Sequence, residues 1–260
     1  IKAQSLKPGY GYIWITNFTG NTTEDFLDAL EKLESENAPM KGLVLDLRNN
    51  GGGLLEESLR ISDIFIDDGI ILSIKGRGEG NAKEFPAKAD SVKRDYPIVM
   101  LINGGSASAS EIVAGALQDH KRALILGTTS FGKGSVQTVE SLRDGYGLKL
   151  TIARYYTPSG RSIQAKGIEP DIVVPFKLLE EADQANGEDG FVKESDLKNH
   201  LEGQAEPKEN PAVEEKETPS VNGAESRVNP LEMDNLKRDN QIMRALDILV
   251  SYDLFKHLGS

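Results

Sequence analysis

The chain has 260 residues and no cysteine, so it has room for one large domain or two modest ones and has no disulfide or thiolate chemistry. Its net charge of −11 is concentrated in residues 180–229, which hold 14 acidic and 5 basic residues. The remainder therefore carries a charge of only about −2, too little for the broad basic face that nucleic-acid binding requires.

Residues 180–229 also contain three prolines, many glutamates and few large apolar residues. This composition is typical of a largely disordered linker, and we interpret the segment as a solvated tether, with an interaction tail as the alternative. The chain then divides into a core at residues 1–179, the acidic linker, and a C-terminal helix at residues 230–260.

The C-terminal helix is predicted from apolar residues that recur at spacings of three or four, namely Met243, Leu246, Val250, Leu254 and Leu258. We expect this face to pack on the core, with contact to a partner chain as the alternative. No stretch approaches the roughly eighteen apolar residues of a membrane span, and the start lacks the regions of a signal peptide. The missing initiator methionine indicates a fragment of a longer protein.

Within the core, strand and helix signals alternate. Strands are predicted at residues 10–18, 42–48, 70–74, 98–103 and 123–127, and a hairpin at residues 136–156. Helices are predicted after Thr22, after the Asn49–Gly53 turn and after Ser108. Repeated β-then-α units that end in a hairpin indicate an α/β domain with a mixed sheet.

A serine-rich turn, Gly105-Ser-Ala-Ser-Ala-Ser-Glu111, precedes the third of these helices. Ser108 and Glu111 fit the S-x-x-E capping box, so Ser108 has a purely structural interpretation at the helix start. The alternative is a nucleophile, because neighbouring glycines leave space around the hydroxyl and a helix N-terminus favours an oxyanion.

The second short motif places Lys133 between Gly132 and Gly134. A lysine shielded from water can act as the base for a serine nucleophile. Residues 127–133 also match the first seven positions of a phosphate-binding loop, but Gly134 replaces the hydroxyl residue that would hold magnesium. Because a strand pattern follows instead of a helix, we expect no nucleotide.

A histidine-based triad would have to use His120, about 18 Å from Ser108 along the helix, so the spacing disfavours it. No metal-ligand spacing such as H-E-x-x-H occurs in the sequence, and we expect neither a metal nor another cofactor.

Several motifs together resemble the carboxy-terminal processing (tail-specific) proteases, and they occur in order between residues 10 and 174. These motifs are Asp46-Leu-Arg-Asn-Asn-Gly-Gly-Gly, Asn103-Gly-Gly-Ser-Ala-Ser-Ala-Ser-Glu-Ile-Val, Phe131-Gly-Lys-Gly-Ser-Val-Gln, Leu150-Thr-Ile-Ala-Arg-Tyr-Tyr-Thr-Pro-Ser-Gly-Arg and Gly167-Ile-Glu-Pro-Asp. The resemblance implies a crotonase/ClpP-like core, a spiral of β-β-α units with a mixed sheet.

The resemblance also implies the roles of individual residues. Ser108 would be the nucleophile, Lys133 the general base and Gln137 the residue that orients this lysine. The backbone N–H groups of Gly52 and Ala109 would form the oxyanion hole. In addition, Asp119 falls where some members of the family have an acidic residue important for activity.

The implied function is a serine endopeptidase that cleaves proteins near their C-termini through an acyl-enzyme, in an extracytoplasmic compartment of a bacterium. The expected partners are protein or peptide substrates bound through their C-termini, with no nucleic acid and no nucleotide; the oligomeric state stays open. The family's PDZ domain has no counterpart in the sequence, so the alternatives are a noncatalytic binding module on the same scaffold and an inactive excised core.

Overall fold

The computed structural model describes residues 1–76, 82–88, 92–178 and 233–258. Its strands are β1 (Lys2–Lys7), β2 (Tyr10–Trp14), β3 (Gly42–Asp46), β4 (Ile70–Gly76), β5 (Ala82–Pro86), β6 (Ile98–Ile102), β7 (Ala123–Gly127), β8 (Ser135–Ser141), β9 (Gly147–Tyr156) and β10 (Ile172–Val173). Its α-helices are α1 (Thr22–Glu36), α2 (Leu55–Asp63), α3 (Ala109–Asp119), α4 (Met233–Arg238) and α5 (Asn240–Leu258).

The larger sheet has six strands in the order β1-β2-β3-β6-β7-β10, and all neighbours except the antiparallel pair β1–β2 run parallel. Its central strands are buried on both faces, as parallel strands usually are. Leu43 and Leu45 of β3 pack in the core with helices α1, α2 and α3, whereas Val44 packs in a second cluster with α4 and α5. The unbroken apolar runs in these strands follow from this two-sided burial.

The smaller sheet is antiparallel, in the order β5-β4-β9-β8. Only the last four residues of β9 pair with β4, so the rest of the β8–β9 hairpin extends beyond the sheet. Leu148, Leu150 and Ile152 alternate along the exposed part of β9 and are about half exposed. The hairpin is therefore an arm whose base, at Ser135, lies two residues after Lys133.

Helix α5 crosses β3, β6 and β7 on the face opposite α3. Its buried apolar residues are Ile242, Ala245 and Leu249. The predicted packing of Leu254 and Leu258 is wrong, since they are 61% and 81% exposed. The described helix continues for two turns past Leu249, its last buried residue. Leu254 and Leu258 keep the apolar spacing in these two turns but are not packed against the sheet.

The structure confirms the predicted α/β class, with mixed strand directions and a C-terminal helix. The spiral arrangement stays a prediction, as does the division into core, linker and C-terminal helix; the acidic residues 180–229 lie outside the described residues. Within the described ranges, no helix combines the length and the hydropathy needed to cross a membrane.

Candidate active site

The serine turn connects the end of β6 to the start of α3 and is fixed by a buried serine. Ser106 Oγ donates to the backbone oxygen of Leu47 at 2.8 Å and accepts from the backbone N–H of Asn103 at 3.0 Å. Ser108 has a φ of 57° and a ψ of −111°, a conformation that is rare for a residue with a side chain. Such a backbone persists only where its surroundings hold it, and it is often found at functional sites.

A buried asparagine attaches the glycine turn after β3 to the serine turn. Asn50 Nδ2 donates to the Ile15 oxygen at 2.7 Å, and its Oδ1 accepts from the Gly52 N–H at 2.9 Å. Its backbone oxygen accepts from the Ala107 N–H and from Ser110 Oγ. Asn50 is fully buried, so each of these polar groups needs the partner that it has here. Sequence reasoning missed this residue.

Gly52 lies directly against the serine turn and has no room for a side chain. A Cβ atom there would be 2.6 Å from the Ala107 oxygen and 2.9 Å from both the Ala109 nitrogen and Ser108 Cβ. Its φ of +97° also favours glycine. The close approach of two main chains therefore explains why the sequence has glycine at this position.

The two expected oxyanion donors are adjacent but differ in their hydrogen bonds. The N–H of Ala109, the first residue of α3, has no acceptor among the residues that the structure describes. The N–H of Gly52 donates to Asn50 Oδ1 within its own turn. The described residues therefore contain one free donor at the start of the helix and one that is engaged.

The lysine loop, which follows β7, is fixed by backbone contacts on both sides of Lys133. The Phe131 N–H donates to the Ser106 oxygen at 3.0 Å, which attaches the loop to the serine turn. Gly132 has a φ of +98°, and a Cβ on Gly134 would be 2.5 Å from the Gln164 nitrogen. Both glycines that frame the lysine are thus required by the local backbone.

Glu111 connects the serine turn and the lysine loop through its carboxylate. Oε2 accepts from the backbone N–H groups of Ser108 and Lys133, both at 2.8 Å. Oε1 accepts from Ser130 Oγ at 2.6 Å and from the Gly132 N–H at 2.7 Å. The backbone nitrogens of Ser108 and Lys133 therefore lie no more than 5.6 Å apart, twice the distance of each from the shared oxygen.

Burial raises the pKa of the Glu111 carboxyl to about 6, although its four hydrogen bonds act in the opposite direction. The sequence indicated this residue only through the capping box. Its bonds to the lysine loop join residues about twenty positions apart, and no local sequence pattern predicts such a contact.

Ser108 and Lys133, the expected dyad, are both half-buried, and their backbone nitrogens donate to the same oxygen of Glu111. Gln137, at the start of β8, is exposed, and its Nε2 lies 3.4 Å from Thr151 Oγ1. Within the described part of the chain, no hydrogen bond joins Lys133 Nζ to Ser108 Oγ or to Gln137. The structure thus brings the two main-chain segments together, and the roles of the three side chains stay a prediction.

Asp119 lies at the opposite end of α3 from Ser108, about 17 Å away along the helix. It forms an ion pair with Arg161 and accepts from the Ser159 N–H at 2.9 Å. Burial alone would raise the pKa of Asp119, but hydrogen bonds from Thr157 and Ser159 and the charge of Arg161 lower it. Asp119 therefore holds the 157–161 turn and does not reach the serine.

Comparison with known proteins agrees with this geometry. The family model described as "Peptidase family S41" matches residues 9–174, well over half of the chain. The chain belongs to peptidase family S41. The resemblance found in the sequence is thereby confirmed.

The relatives of this S41 chain include a carboxy-terminal-processing protease of Bartonella bacilliformis, which is 49% identical over 198 residues, 75% of this chain and 45% of that protein. A chloroplastic C-terminal processing peptidase of Tetradesmus obliquus is 41% identical over 69% of this chain and 39% of its own length. Among solved structures, a photosystem II D1 C-terminal processing protease is similar with a TM-score of 0.60 and 38% identity, over 67% of this chain and 47% of the other. The chain thus spans less than half the length of these relatives.

Proposed function

We propose that this chain is the catalytic part of a serine endopeptidase that uses a Ser108–Lys133 dyad to cleave proteins near their C-termini. The observation that supports it most directly is the shared oxygen of Glu111, which keeps the backbone nitrogens of Ser108 and Lys133 within 5.6 Å. Membership of a peptidase family and similarity to carboxy-terminal-processing proteases support the substrate class.

The reaction is an acyl transfer in two halves. Neutral Lys133 accepts the Ser108 hydroxyl proton while Ser108 Oγ attacks the peptide carbonyl, and a tetrahedral oxyanion forms. Collapse of this intermediate expels the amine, which takes the proton from Lys133, and leaves an ester on Ser108. Water then attacks the ester with Lys133 as base, and the carboxylate product and free Ser108 are released.

The oxyanion is stabilised by backbone amides in the proposed mechanism. The Ala109 N–H at the helix N-terminus has no acceptor in the described structure and is available to a substrate oxygen. The Gly52 N–H joins it by sharing its proton between Asn50 Oδ1 and the substrate oxygen. Donors fixed before substrate arrives need little reorganisation during the reaction.

Gln137 orients the base by accepting a hydrogen bond from Lys133 Nζ through its side-chain oxygen. Only its Nε2 has a partner in the described structure, so the oxygen is available. Asp119 contributes indirectly, since it fixes the 157–161 turn. We further propose that substrates are recognised through their C-termini and that the protein acts outside the cytoplasm of a bacterium.

Incubation with β-casein, an unstructured protein, tests the proposal when this chain is compared with its Ser108→Ala variant. We expect the wild type to produce fragments that mass spectrometry can map, and the variant to produce none. Identical, negligible cleavage by both proteins would contradict the proposal and favour a noncatalytic binding module or an inactive core.

Substitution of the base makes the same test specific to Lys133. Lys133→Arg should be as inactive as Lys133→Ala, since a guanidinium keeps its proton at any usable pH and cannot act as a base. The measurement is the initial rate of peptide cleavage at neutral pH. Appreciable cleavage by the arginine variant would contradict the assignment of Lys133.

A further inference from the structure

Glu111 is a fully buried carboxylate. It is 0% exposed, and among the described residues it forms no ion pair with a lysine, arginine or histidine. An isolated buried charge is costly unless hydrogen bonds replace the water that it has lost. Here four donors do so, and they come from only two segments, the serine turn and the lysine loop.

The number and type of donors match those of an ionised carboxylate. Each oxygen of a carboxylate accepts two hydrogen bonds and donates none, and each oxygen of Glu111 has two donors. The contacts extend one step further, because the Ser130 hydroxyl that donates to Oε1 accepts the Ile168 N–H at 2.6 Å. A chain of hydrogen bonds therefore runs from the serine turn through Glu111 and Ser130 to Ile168, in the segment between β9 and β10.

We infer that Glu111 is a positioning residue: its carboxylate fixes the lysine loop against the serine turn and thereby sets the distance between Ser108 Oγ and Lys133 Nζ. The inference rests on the proposed Ser–Lys mechanism. Glu111 itself contacts backbone groups and a serine hydroxyl, so it takes no part in proton transfer. Its removal affects the reaction because the distance between the nucleophile and the base is no longer fixed.

Two substitutions give a graded test. In Glu111→Gln, the amide oxygen can still accept from Ser108 and Lys133, while the amide NH₂ faces the Gly132 N–H and leaves that donor unpaired. Glu111→Leu keeps a comparable volume but leaves all four donors unpaired. We expect kcat to fall about tenfold in the glutamine variant and at least a hundredfold in the leucine variant, with KM within about twofold of the wild type.

Glu57→Gln is the matched control. Glu57 is also a buried carboxylate, 3% exposed, and it accepts from the backbone N–H and the hydroxyl of Thr23. It lies on α2, and within the described ranges its hydrogen bonds go to Thr23 and Arg60, outside the serine turn and the lysine loop. Its substitution should leave kcat unchanged, so a fall in kcat specific to Glu111 does not come from loss of a buried charge in general.

Amide hydrogen exchange, followed by nuclear magnetic resonance, tests the contact without relying on activity. Exchange at Gly132 should accelerate in Glu111→Gln, and exchange at both Gly132 and Lys133 should accelerate in Glu111→Leu. Both amides should keep the wild-type rate in Glu57→Gln. All measurements are made below the thermal midpoint of each variant, and the glutamine variant serves if the leucine variant does not fold.

Three results would overturn the inference: unchanged exchange at Gly132 and Lys133, kcat within twofold of the wild type in both Glu111 variants, or a rise in KM at constant kcat. Failure of the proposed function is a separate result, seen as absence of cleavage by the wild type itself. In that event the exchange rates still decide whether the carboxylate holds the loop.

Discussion

Gly51 and Gly52 are neighbours at the candidate site, yet they differ in their tolerance of a side chain. A methyl group on Gly51 would meet nothing within 4 Å, whereas on Gly52 it would meet three atoms of the serine turn within 3 Å. We predict that Gly52→Ala lowers the free energy of unfolding by about 1–3 kcal/mol and abolishes most cleavage, because backbone atoms must move.

Urea unfolding and initial rates of peptide cleavage measure the two effects. Gly51→Ala is the control, since that position is open and its φ is not in the positive range. Equal stability and equal activity of the two alanine variants would show that the turn does not lie against Ser108 in solution.

Glu111 also predicts a pH dependence of stability. Because its pKa is raised from 4.5 to about 6, the native chain binds this proton more tightly than the unfolded chain. The resulting stabilisation is fully present below pH 4.5 and is lost as the pH rises through 6. The contribution of this carboxyl to the free energy of unfolding should therefore fall by about 1 kcal/mol between pH 5 and pH 7.

The measurement is urea unfolding of the wild type and Glu111→Gln at both pH values. The glutamine variant has no proton to bind at this position, so the difference between the two proteins isolates the carboxyl. A difference in stability that stays constant from pH 5 to pH 7 would contradict the raised pKa.

At the scale of secondary-structure elements, a buried ion cluster joins the end of β3 to the start of α5. Arg48 binds Asp46 through Nε and Nη2, and its Nη1 lies 2.8 Å from Asp239 and 2.7 Å from Gln241 Oε1. Burial alone would lower the pKa of Arg48, but the carboxylates of Asp46 and Asp239 raise it above its usual value. The arginine is therefore charged, and each of its three guanidinium nitrogens has an acceptor.

We predict that Arg48→Met lowers the free energy of unfolding by about 3–5 kcal/mol, because two buried carboxylates lose their counter-charge. Lys41→Met is the control, since Lys41 also pairs with an aspartate of α5, Asp253, but is well exposed. Thermal unfolding of both variants provides the comparison, and the control should differ little from the wild type. Equal losses would contradict a special role for the buried cluster.

Elements with a strong periodic pattern could be predicted from the sequence. The strand at β7 is found at the predicted bounds. The helix expected after Thr22 is α1, where Phe26, Leu30 and Leu33, three or four residues apart, are buried. Strand β1 was missed because four of its six residues are polar and none is fully buried, at the edge of the sheet. The buried face of α5 was predicted one residue out of register, since the apolar residues of that helix leave more than one plausible stripe.

The candidate site shows the same division between local and long-range information. The residues proposed for the reaction lie in short motifs that the sequence displays. The contacts that assemble these motifs, through Asn50 and Glu111, join segments that are about twenty to sixty residues apart. Their partners are mostly backbone N–H groups, which every sequence has, so nothing in the side chains marks them beforehand.

At the scale of the whole molecule, the chain leaves the core and returns to it at the same place. Leu178 forms a β-bridge with Asp239. The Asn240 N–H donates to the Lys177 oxygen, and the Lys177 N–H donates to Asn240 Oδ1. The core before the acidic segment and the helices after it are thus joined by direct contacts. The covalent connection between them can therefore be shortened.

We predict that replacement of residues 180–229 by about twelve glycine and serine residues raises the free energy of unfolding by about 1 kcal/mol, since a shorter loop costs less entropy to close. Peptide cleavage should be unchanged. A chain with residues 180–229 scrambled controls for composition and charge. Loss of cleavage in the shortened chain alone would show that the acidic segment serves the reaction.

The position of α5 determines which contacts are missing while the chain is being synthesised. Val44, Val99 and Leu101 belong to strands that leave the ribosome early, but the apolar residues that cover them, Ile242, Ala245 and Leu249, follow some 140 to 200 residues later. Until then, these sheet residues lack the contacts that α5 provides, and the Arg48 cluster lacks Asp239 and Gln241. A nascent chain, or one truncated before α5, therefore exposes apolar residues of the sheet and lacks the complete ion cluster near the candidate site.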